Sequence, residues 1–526
     1  MKIVTSGQMR LIEERSESVG VSMDQLMENA GLAVAERIRD KLVPFIAPTV
    51  VILVGPGKNG GDGLVTARHL HTWGIQVFVY QCATRPDGDV QLQSVRKLGV
   101  PLFSVSEDED LKGLKNWLSG ATLVLDSVLG TGRSRPIQGQ IGEVFQTIEF
   151  MRSQRSDLEL IALDVPSGLD PDSGVADEFC LRMDATITLG CPKIGLFQIS
   201  GAELAGRIEI VPIGIPIDGI SDDVRLELMT DQWAAALLPR RDIVAHKGTF
   251  GRTLVIAGSR NYIGAAYLAS AAAARVGTGL VTLAIPESLQ LAVATMGPEL
   301  TYIPLPESKP GVVAPDAIGS IMEMIDDYDA LLVGCGFGQA PDTTEFLRRL
   351  LLDDRSDSLL PETIIDADGL NFLAKQIDWW ERLDSPAVLT PHPGEMARLY
   401  GGSIREIQHD RIRKAIESAK IWDKVVVLKG AYTVVADPDG LTMVSPFANP
   451  GLASAGTGDV LAGAISGLVS QGLPLKNAAA LGVYIHGLAG NLVMDELGNA
   501  GMIASDVLHA LPKAIKMIHQ RAGLLP

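Results

Sequence analysis

The chain has 526 residues, with 63 Asp and Glu against 45 Lys and Arg, a formal net charge of −18 and 46% hydrophobic residues. That length predicts two or more domains, the negative charge argues against nucleic acid, whose phosphates demand basic patches, and no window holds the roughly 18 consecutive apolar residues of a membrane span. The cysteines (Cys82, Cys180, Cys191, Cys335) are scattered without a C-x-x-C pair and the N-terminus lacks a signal-peptide core, which predicts a reducing, cytoplasmic setting and no structural zinc.

Residues 1–45 read as helical. SMDQLMENAGLAVAERIRDKL spaces its apolar residues by three and four, with Ser22 or Asp24 as the cap. VVILVG then reads as a strand, LVTARHLHTW as a helix, IQVFVY as a strand, SEDEDLKGLKNWL as a polar-faced helix and ATLVLDSVLG as a strand, followed by a helix near 139–152. LELIALDV, DATITLG and GRIEIVPIG close this first series. Residues 214–230 break the rhythm with Gly, Pro and acids, and the domain boundary is placed there, giving domains 1–222 and 223–526. From about residue 240 a second series runs through RTLVIAGS, GLVTLAIP, ALLVGCGFG, ETIIDADG, AVLTPHPGE, KVVVLKG and YTVVAD. Buried apolar strands between amphipathic helices predict α/β domains with parallel sheets covered on both faces. In such sheets ligands sit at the carboxyl ends of the strands.

Residues 55–63, GPGKNGGDG, satisfy the G-x-G-x-x-G fingerprint between a strand and a helix. A dinucleotide redox cofactor also requires an acid about 20 residues on, to grip the ribose. The second strand ends instead in Gln81, Cys82 and Ala83, and the loop carries Asp62, a poor neighbour for a pyrophosphate. The turn suits a nucleotide-like ligand but lacks the cofactor clamp. Two more strands end in DSVLGTG (126–132) and LDVPSGLD (163–170). Asn59, Asp126 and Ser167 are hard oxygen donors suited to a cation such as K⁺. Asp164 is a candidate proton-transfer group, with Lys193 as its cationic partner.

Taken together, LMENAG, GPGKNGGDG, DSVLGTG, ALDVPSGLD and CPKIGL resemble the NAD(P)HX epimerase family, in family order over roughly residues 1–220. The resemblance implies a Rossmann-like three-layer sandwich that epimerises hydrated nicotinamide nucleotides. Substrate would be held by Asn59, Gly60, Gly61, Asp62 and Gly63, and by Gly130, Thr131, Gly132, Arg133, Ser134, Arg135 and Pro136. Asn59, Asp126 and Ser167 would hold K⁺, and Asp164 would meet substrate. The missing ribose acid is then no anomaly, because the dinucleotide is a damaged substrate rather than a redox cofactor.

In the second half, NPGLASAGTGDVLAGAISGL (449–468) places Gly456 and Gly458 before Asp459 at the start of a helix. Free N–H groups at a helix N-terminus bind anionic oxygens, and an acid beside them can take a proton from an attacking hydroxyl. That pairing is what phosphorylation of an alcohol needs. No G-x-x-x-x-G-K-[ST] occurs. LKGAYTVV puts Lys429 at a strand end, able to face a nucleotide phosphate, and LTPHPGEMARL puts His392 and Glu395 in a proline-framed turn. DADGLN and VGCGFG end two further strands, and HKGTFGRTLVIAGSRNYIGAA opens the domain with a loop able to cover a ligand.

These motifs resemble the ribokinase-like superfamily and, more narrowly, the ADP-dependent NAD(P)HX dehydratases over about 225–526, with Gly369 where family members often carry Ala. The resemblance implies that Ala265, Gly336, His392, Pro393, Gly394 and Glu395 contact the hydrated nucleotide. Lys429, Gly430, Ala431, Tyr432, Thr433 and Gly458 would contact the adenine nucleotide, and Asp459 the substrate. ADP as co-substrate is implied by fused bacterial members. Mg²⁺ would accompany the nucleotide, although no carboxylate cluster for it is evident in the sequence. The expectation is a bifunctional enzyme acting on NADHX and NADPHX with ADP, without nucleic-acid or membrane partners, and a homo-oligomer. The competing readings are a vitamin or sugar kinase of the ribokinase class, and a first half that only binds nucleotide. Intact Asn59, Asp126 and Asp164 weigh against the second.

Overall fold

The computed structural model describes residues 1–86, 88–132, 136–216, 223–353 and 360–523. It separates into two compact units, Lys2–Arg225 and Leu226–Pro526 with Met1.

In the first unit, β1 (Thr49–Val54), β2 (Gln76–Gln81), β3 (Leu102–Ser104), β4 (Leu123–Ser127), β5 (Glu159–Leu163), β6 (Ala185–Leu189) and β7 (Arg207–Val211) form a seven-stranded sheet ordered β3-β2-β1-β4-β5-β6-β7. Every pairing is parallel. The continuous apolar run of β1 follows from burial on both faces. On one face Val34, Ile38, Leu64 and Leu70, from helices Met23–Leu42 and Lys58–Thr72, pack on the sheet. On the other, Leu114, Leu118, Phe145 and Ile148 do so from helices Lys112–Gly120 and Gln140–Gln154. The result is a three-layer doubly wound sandwich. The strand order reverses between β1 and β4, the position at which open α/β sheets bind ligands.

The N-terminal helical stretch is two helices, Ser6–Ser18 and Met23–Leu42, separated at Gly20 with φ 96°. Ser22 caps the second by accepting from Gln25 N at 3.2 Å. The SEDED stretch is not part of its helix. The Asp108 carboxylate accepts from Gly113 N at 2.7 Å and Leu114 N at 2.9 Å, so the regular helix starts only at Lys112. Helix Val90–Lys97 and the three-residue β3 were not anticipated, being too short to show a period.

In the second unit the strands are β8 (Leu226–Leu228), β9 (Arg252–Ile256), β10 (Leu280–Pro286), β11 (Thr301–Leu305), β12 (Glu307–Lys309), β13 (Val312–Val313), β14 (Ala330–Val333), β15 (Glu362–Ile365), β16 (Ala387–Leu389), β17 (Val425–Leu428), β18 (Val434–Ala436) and β19 (Thr442–Val444). Ten of them form a sheet ordered β11-β10-β9-β14-β15-β16-β17-β18-β19-β8, and β12 and β13 pair as a separate ribbon. β17, β18 and β19 run antiparallel in succession, and β8 joins the edge parallel to β19. Residues 214–230, read as a break, thus contain the edge strand β8, which is too short to announce itself.

One face is covered by helices Ile263–Arg275, Thr457–Ser470, Leu475–Leu497 and Ala504–Arg521, whose Ala266, Val460, Ile485 and Val507 share one core. Helix Thr457–Ser470 is buried almost all round, as expected of a helix apolar on every side. It meets Ile263–Arg275 backbone to backbone: a Cβ on Gly463 would lie 2.0 Å from Ala269 O. No helix among the described residues is long and apolar enough to cross a membrane.

Candidate active sites

In the first unit the glycine-rich turn joins β1 to helix Lys58–Thr72. Packing explains its glycines: a Cβ on Gly55 would lie 1.8 Å from Val128 O, and one on Gly63 2.1 Å from Ser127 Oγ. The turn therefore beds directly on the end of β4. Arg85, which sequence reasoning missed, ties it from the other side. Its Nη1 donates to Gly55 O and, at 2.9 Å, to Gly57 O, while Nε and Nη2 meet Asp89 at 2.9 and 2.6 Å. The only sequence signal was an Arg four residues before an Asp, which carries no chemistry by itself.

Asn59, Asp126 and Ser167 converge beside this turn. Asn59 Nδ2 donates to Leu129 O at 2.8 Å. Asp126 accepts from Ser167 N at 2.9 Å, Ser167 Oγ at 2.7 Å and Val128 N at 3.1 Å. Leu129 N in turn donates to Ser167 Oγ at 2.8 Å. Burial raises the Asp126 pKa, with the Ser167 and Val128 donors opposing. A buried carboxylate with only neutral partners, next to an amide, a hydroxyl and a carbonyl oxygen, is a donor set that fits a monovalent cation.

Asp164 follows β5 in a left-handed conformation, φ 71°. Its Oδ1 accepts from Leu189 N at 3.1 Å, from Thr188 Oγ1 at 3.2 Å and from the buried ammonium of Lys193. Lys193 also donates to Leu189 O at 3.1 Å. Asp164 Oδ1 is thus fully occupied, and none of these bonds uses Oδ2. Asp62, also buried, is pushed well above the usual carboxylate range by burial and then by the negative Asp164 and Glu13, against Lys58 and Lys193. Gly130 lies against Asn59, where a Cβ would be 2.9 Å from Asn59 Cβ, while Gly132 and Pro136 are exposed. Arg133, Ser134 and Arg135 lie outside the described residues.

In the second unit the carboxyl ends of β14, β15, β16 and β17 deliver Cys335, Asp366, His392 and Lys429. Asp366 organises them. It accepts from Lys429 Nζ at 2.7 Å and Thr390 Oγ1 at 2.7 Å, and Cys335 Sγ approaches at 3.8 Å. Asp459, in the first turn of Thr457–Ser470, completes the cluster, with ligand atoms of Cys335, Asp366 and Asp459 all within 4.8 Å of one another. Lys429 Nζ also stands 3.8 Å from Glu395 Oε2, and a Cβ on Gly458 would be 3.3 Å from Lys429 Nζ. Lys429 therefore lies at the positive end of that helix.

Burial and then the charge of Asp366 push Asp459 up to about 7, with Cys335 and Lys429 opposing. Burial also raises Glu395, with Lys429 opposing, and raises the Cys335 thiol. His392 caps helix Pro393–Tyr400 through Nδ1, which accepts from Gly394 N at 3.0 Å, and burial then Lys429 lower its pKa. His486, buried behind the cluster, donates to Thr457 O at 3.0 Å and is depressed to about 4 by burial. It holds the helix start in place as a neutral ring.

Ala265 and Gly336 touch, a Gly336 Cβ lying 2.7 Å from Ala265 Cβ, and Ser259 Oγ donates to Gly336 O at 2.8 Å. The Lys429–Thr433 loop is closed by Thr433 Oγ1 donating to Gly430 O at 2.8 Å, with Tyr432 at φ 51°. Sequence reasoning missed Asp366, Cys335, Thr390 and His486. The motifs around the first two marked strand ends, but only the sheet order puts β14 and β15 side by side.

A family model described as NAD(P)H-hydrate dehydratase matches residues 253–513, and one described as YjeF-related protein N-terminus matches 23–195. A bifunctional NAD(P)H-hydrate repair enzyme of Moorella thermoacetica is 38% identical across 99% of this chain and 98% of its own length. Its counterpart in Thermofilum pendens is 37% identical across 99% and 97%. Among solved structures, an ADP/ATP-dependent NAD(P)H-hydrate dehydratase of Bacillus subtilis, co-crystallised with ATP and Mg²⁺, is 31% identical, covering 56% of this chain and 98% of that one with a TM-score of 0.47.

Proposed function

This chain belongs to the family of bifunctional NAD(P)H-hydrate repair enzymes, and from that premise we propose how each unit works. The first unit, about 1–222, interconverts the R and S forms of hydrated NAD(P)H. The second, about 223–526, dehydrates the S form with ADP, giving NAD(P)H, AMP and phosphate. The observation that carries the reading is Asp459: a carboxylate held near neutrality in its proton affinity, at the open end of a helix, with an ammonium beside the same N–H groups.

In the dehydratase, Asp459 takes the proton of the C6 hydroxyl as the hydroxyl oxygen attacks the terminal phosphorus of ADP. The helix N–H groups and Lys429 meet the developing negative charge. AMP leaves. The ring nitrogen then expels phosphate from C6, and loss of the C5 proton restores the dihydropyridine. Ala265, Gly336 and the His392–Glu395 turn bind the hydrate, and Lys429–Thr433 with Gly458 bind the nucleotide. Mg²⁺ fits as the counter-ion of the nucleotide phosphates, because Asp366 is engaged by Lys429 and a thiol is a poor ligand for so hard a cation.

In the epimerase, Lys193, Thr188 and the Leu189 N–H hold Asp164 in place, so that Asp164 takes the C6 hydroxyl proton as the C6–N bond opens and returns it as the ring recloses with C6 inverted. Asn59–Gly63 and Gly130–Pro136 bind substrate. Asn59, Asp126 and Ser167 would hold K⁺, which supplies positive charge beside the bound dinucleotide. Free cysteines fit a reducing, cytoplasmic setting.

The test is incubation with an R/S mixture of NADHX and ADP, following NADH absorbance. Complete recovery of NADH from both forms supports the reading. Phosphorylation of a pyrimidine, thiazole or sugar alcohol instead, with NADHX untouched, overturns it.

A further inference from the structure

Among the described residues each unit buries one arginine under its ligand loop, and the two differ in their partners. Arg85 holds the carbonyls of Gly55 and Gly57, but its charge is balanced by Asp89 at 2.6 Å. Arg411, at the start of helix Arg411–Trp422, is just 1% exposed. Its Nη2 donates to Leu428 O at 3.1 Å and Lys429 O at 3.2 Å, and its Nη1 to Gln408 Oε1 at 2.9 Å. All three partners are neutral, and Nε has no hydrogen-bond partner.

The acids close to it in sequence are claimed by other cations: Glu406 by Lys414 at 2.7 Å, and Asp410 and Glu417 by Arg413. Among the described residues no carboxylate pairs with Arg411. Burial lowers its pKa to about 10, which leaves it charged at neutral pH. A buried cation without a counter-charge is costly. Gly430, at φ 143°, packs directly on the guanidinium, since a Cβ there would lie 2.7 Å from Arg411 Nη1. Lys429, the other cation of the loop, is by contrast paired with Asp366 at 2.7 Å and neighboured by Glu395.

We propose that Arg411 is a positioning residue for the Lys429–Thr433 loop whose unbalanced charge makes the loop select polyphosphate-bearing nucleotides over neutral nucleosides. The inference rests on the nucleotide-binding reading of that loop. Arg411 shapes the loop through the Leu428 and Lys429 carbonyls, and an arriving polyphosphate supplies the counter-charge that the fold withholds.

The experiment is calorimetric titration of the full chain with ADP, AMP and adenosine, at low and high salt, for wild type, Arg411→Lys and Arg411→Gln. Wild type binds ADP more tightly than AMP, and AMP more tightly than adenosine. Arg411→Gln weakens ADP about tenfold or more, changes adenosine little, and flattens the salt dependence. Arg411→Lys restores the order of preference while losing part of the affinity for all three ligands. Equal weakening of all three ligands in Arg411→Gln, or no weakening, overturns the proposal. Should Arg411→Gln fail to fold, Arg411→Lys decides alone: loss of the ADP-over-adenosine preference with charge retained overturns it, and retention supports it. Wild type that binds no ADP overturns the nucleotide reading of the loop instead.

Discussion

Two carboxylates, Asp366 and Asp459, share one buried cluster, and Asp366 alone accepts a hydrogen bond from Lys429. Asp459 has no such partner, and burial, then the charge of Asp366, raise it to about 7. A base of that strength loses its proton only as pH rises through neutrality, so NADH recovery should climb from about pH 5 and level off above about pH 8. In Asp366→Asn one negative charge disappears and Lys429 is released. Both changes favour ionised Asp459, and the acid limb of the kcat profile should move to lower pH even as the plateau falls. A limb that stays in place would assign it to another group. Asp459→Asn should keep ADP binding, because the anion site is built from backbone N–H groups, and lose roughly 10²–10⁴-fold in turnover. In the other unit, Asp164→Asn should leave S-form dehydration intact and abolish accelerated use of the R form. Unchanged R-form consumption would make Asp164 structural.

At the scale of elements, Asp459 is only as well placed as the helix that carries it. Helix Thr457–Ser470 reaches the sheet because Gly463 and Gly467 let it press on Ile263–Arg275, with Cβ positions 2.0 and 2.7 Å from the Ala269 and Ala273 carbonyls. Gly463→Val should push the helices apart, cost about 1–3 kcal/mol or more, and depress dehydration while sparing epimerisation. Melting curves together with separate R- and S-form assays check this. The sequence made the strands legible wherever an apolar run ended in Gly, Pro or Asp, as in VVILVG, LELIALDV and ETIIDADG. It also made legible the residues that those ends carry. It did not reveal β8, β11 or β19, which are short or weakly patterned, nor helix Leu475–Leu497, whose run of small and apolar residues lacks a polar face sharp enough to read, nor Ala504–Arg521, whose pattern is interrupted by Pro512. Partners that reach across the fold were equally hidden. Arg85, Arg411 and Asp366 each act on a backbone or side chain brought close only by the tertiary fold.

At the scale of the whole molecule, one chain carries both a way to equilibrate the two hydrates and a way to consume one of them. A fragment covering about 225–526 should therefore restore NADH rapidly from S-NADHX and only at the spontaneous rate from R. The full chain should clear both at one enzymatic rate, and equal biphasic traces for fragment and full chain would remove the epimerase. The order of strands along the chain has a further consequence for how the protein is made. The first unit finishes its sheet with β7 before any strand of the second exists, so it is free to fold while the rest is being translated. The second unit has no such convenience. Its first strand, β8, emerges from the ribosome early but takes its place against β19, near the far end of the sheet's sequence. Until Thr442–Val444 appear, β8 carries an open edge of the kind that seeds association between nascent chains. The helices that cover the sheet, Thr457–Ser470 through Ala504–Arg521, come later still. The dehydratase site is thus assembled last, and a ribosome halted before residue 442 yields an intact first unit joined to an unfinished, adhesive sheet.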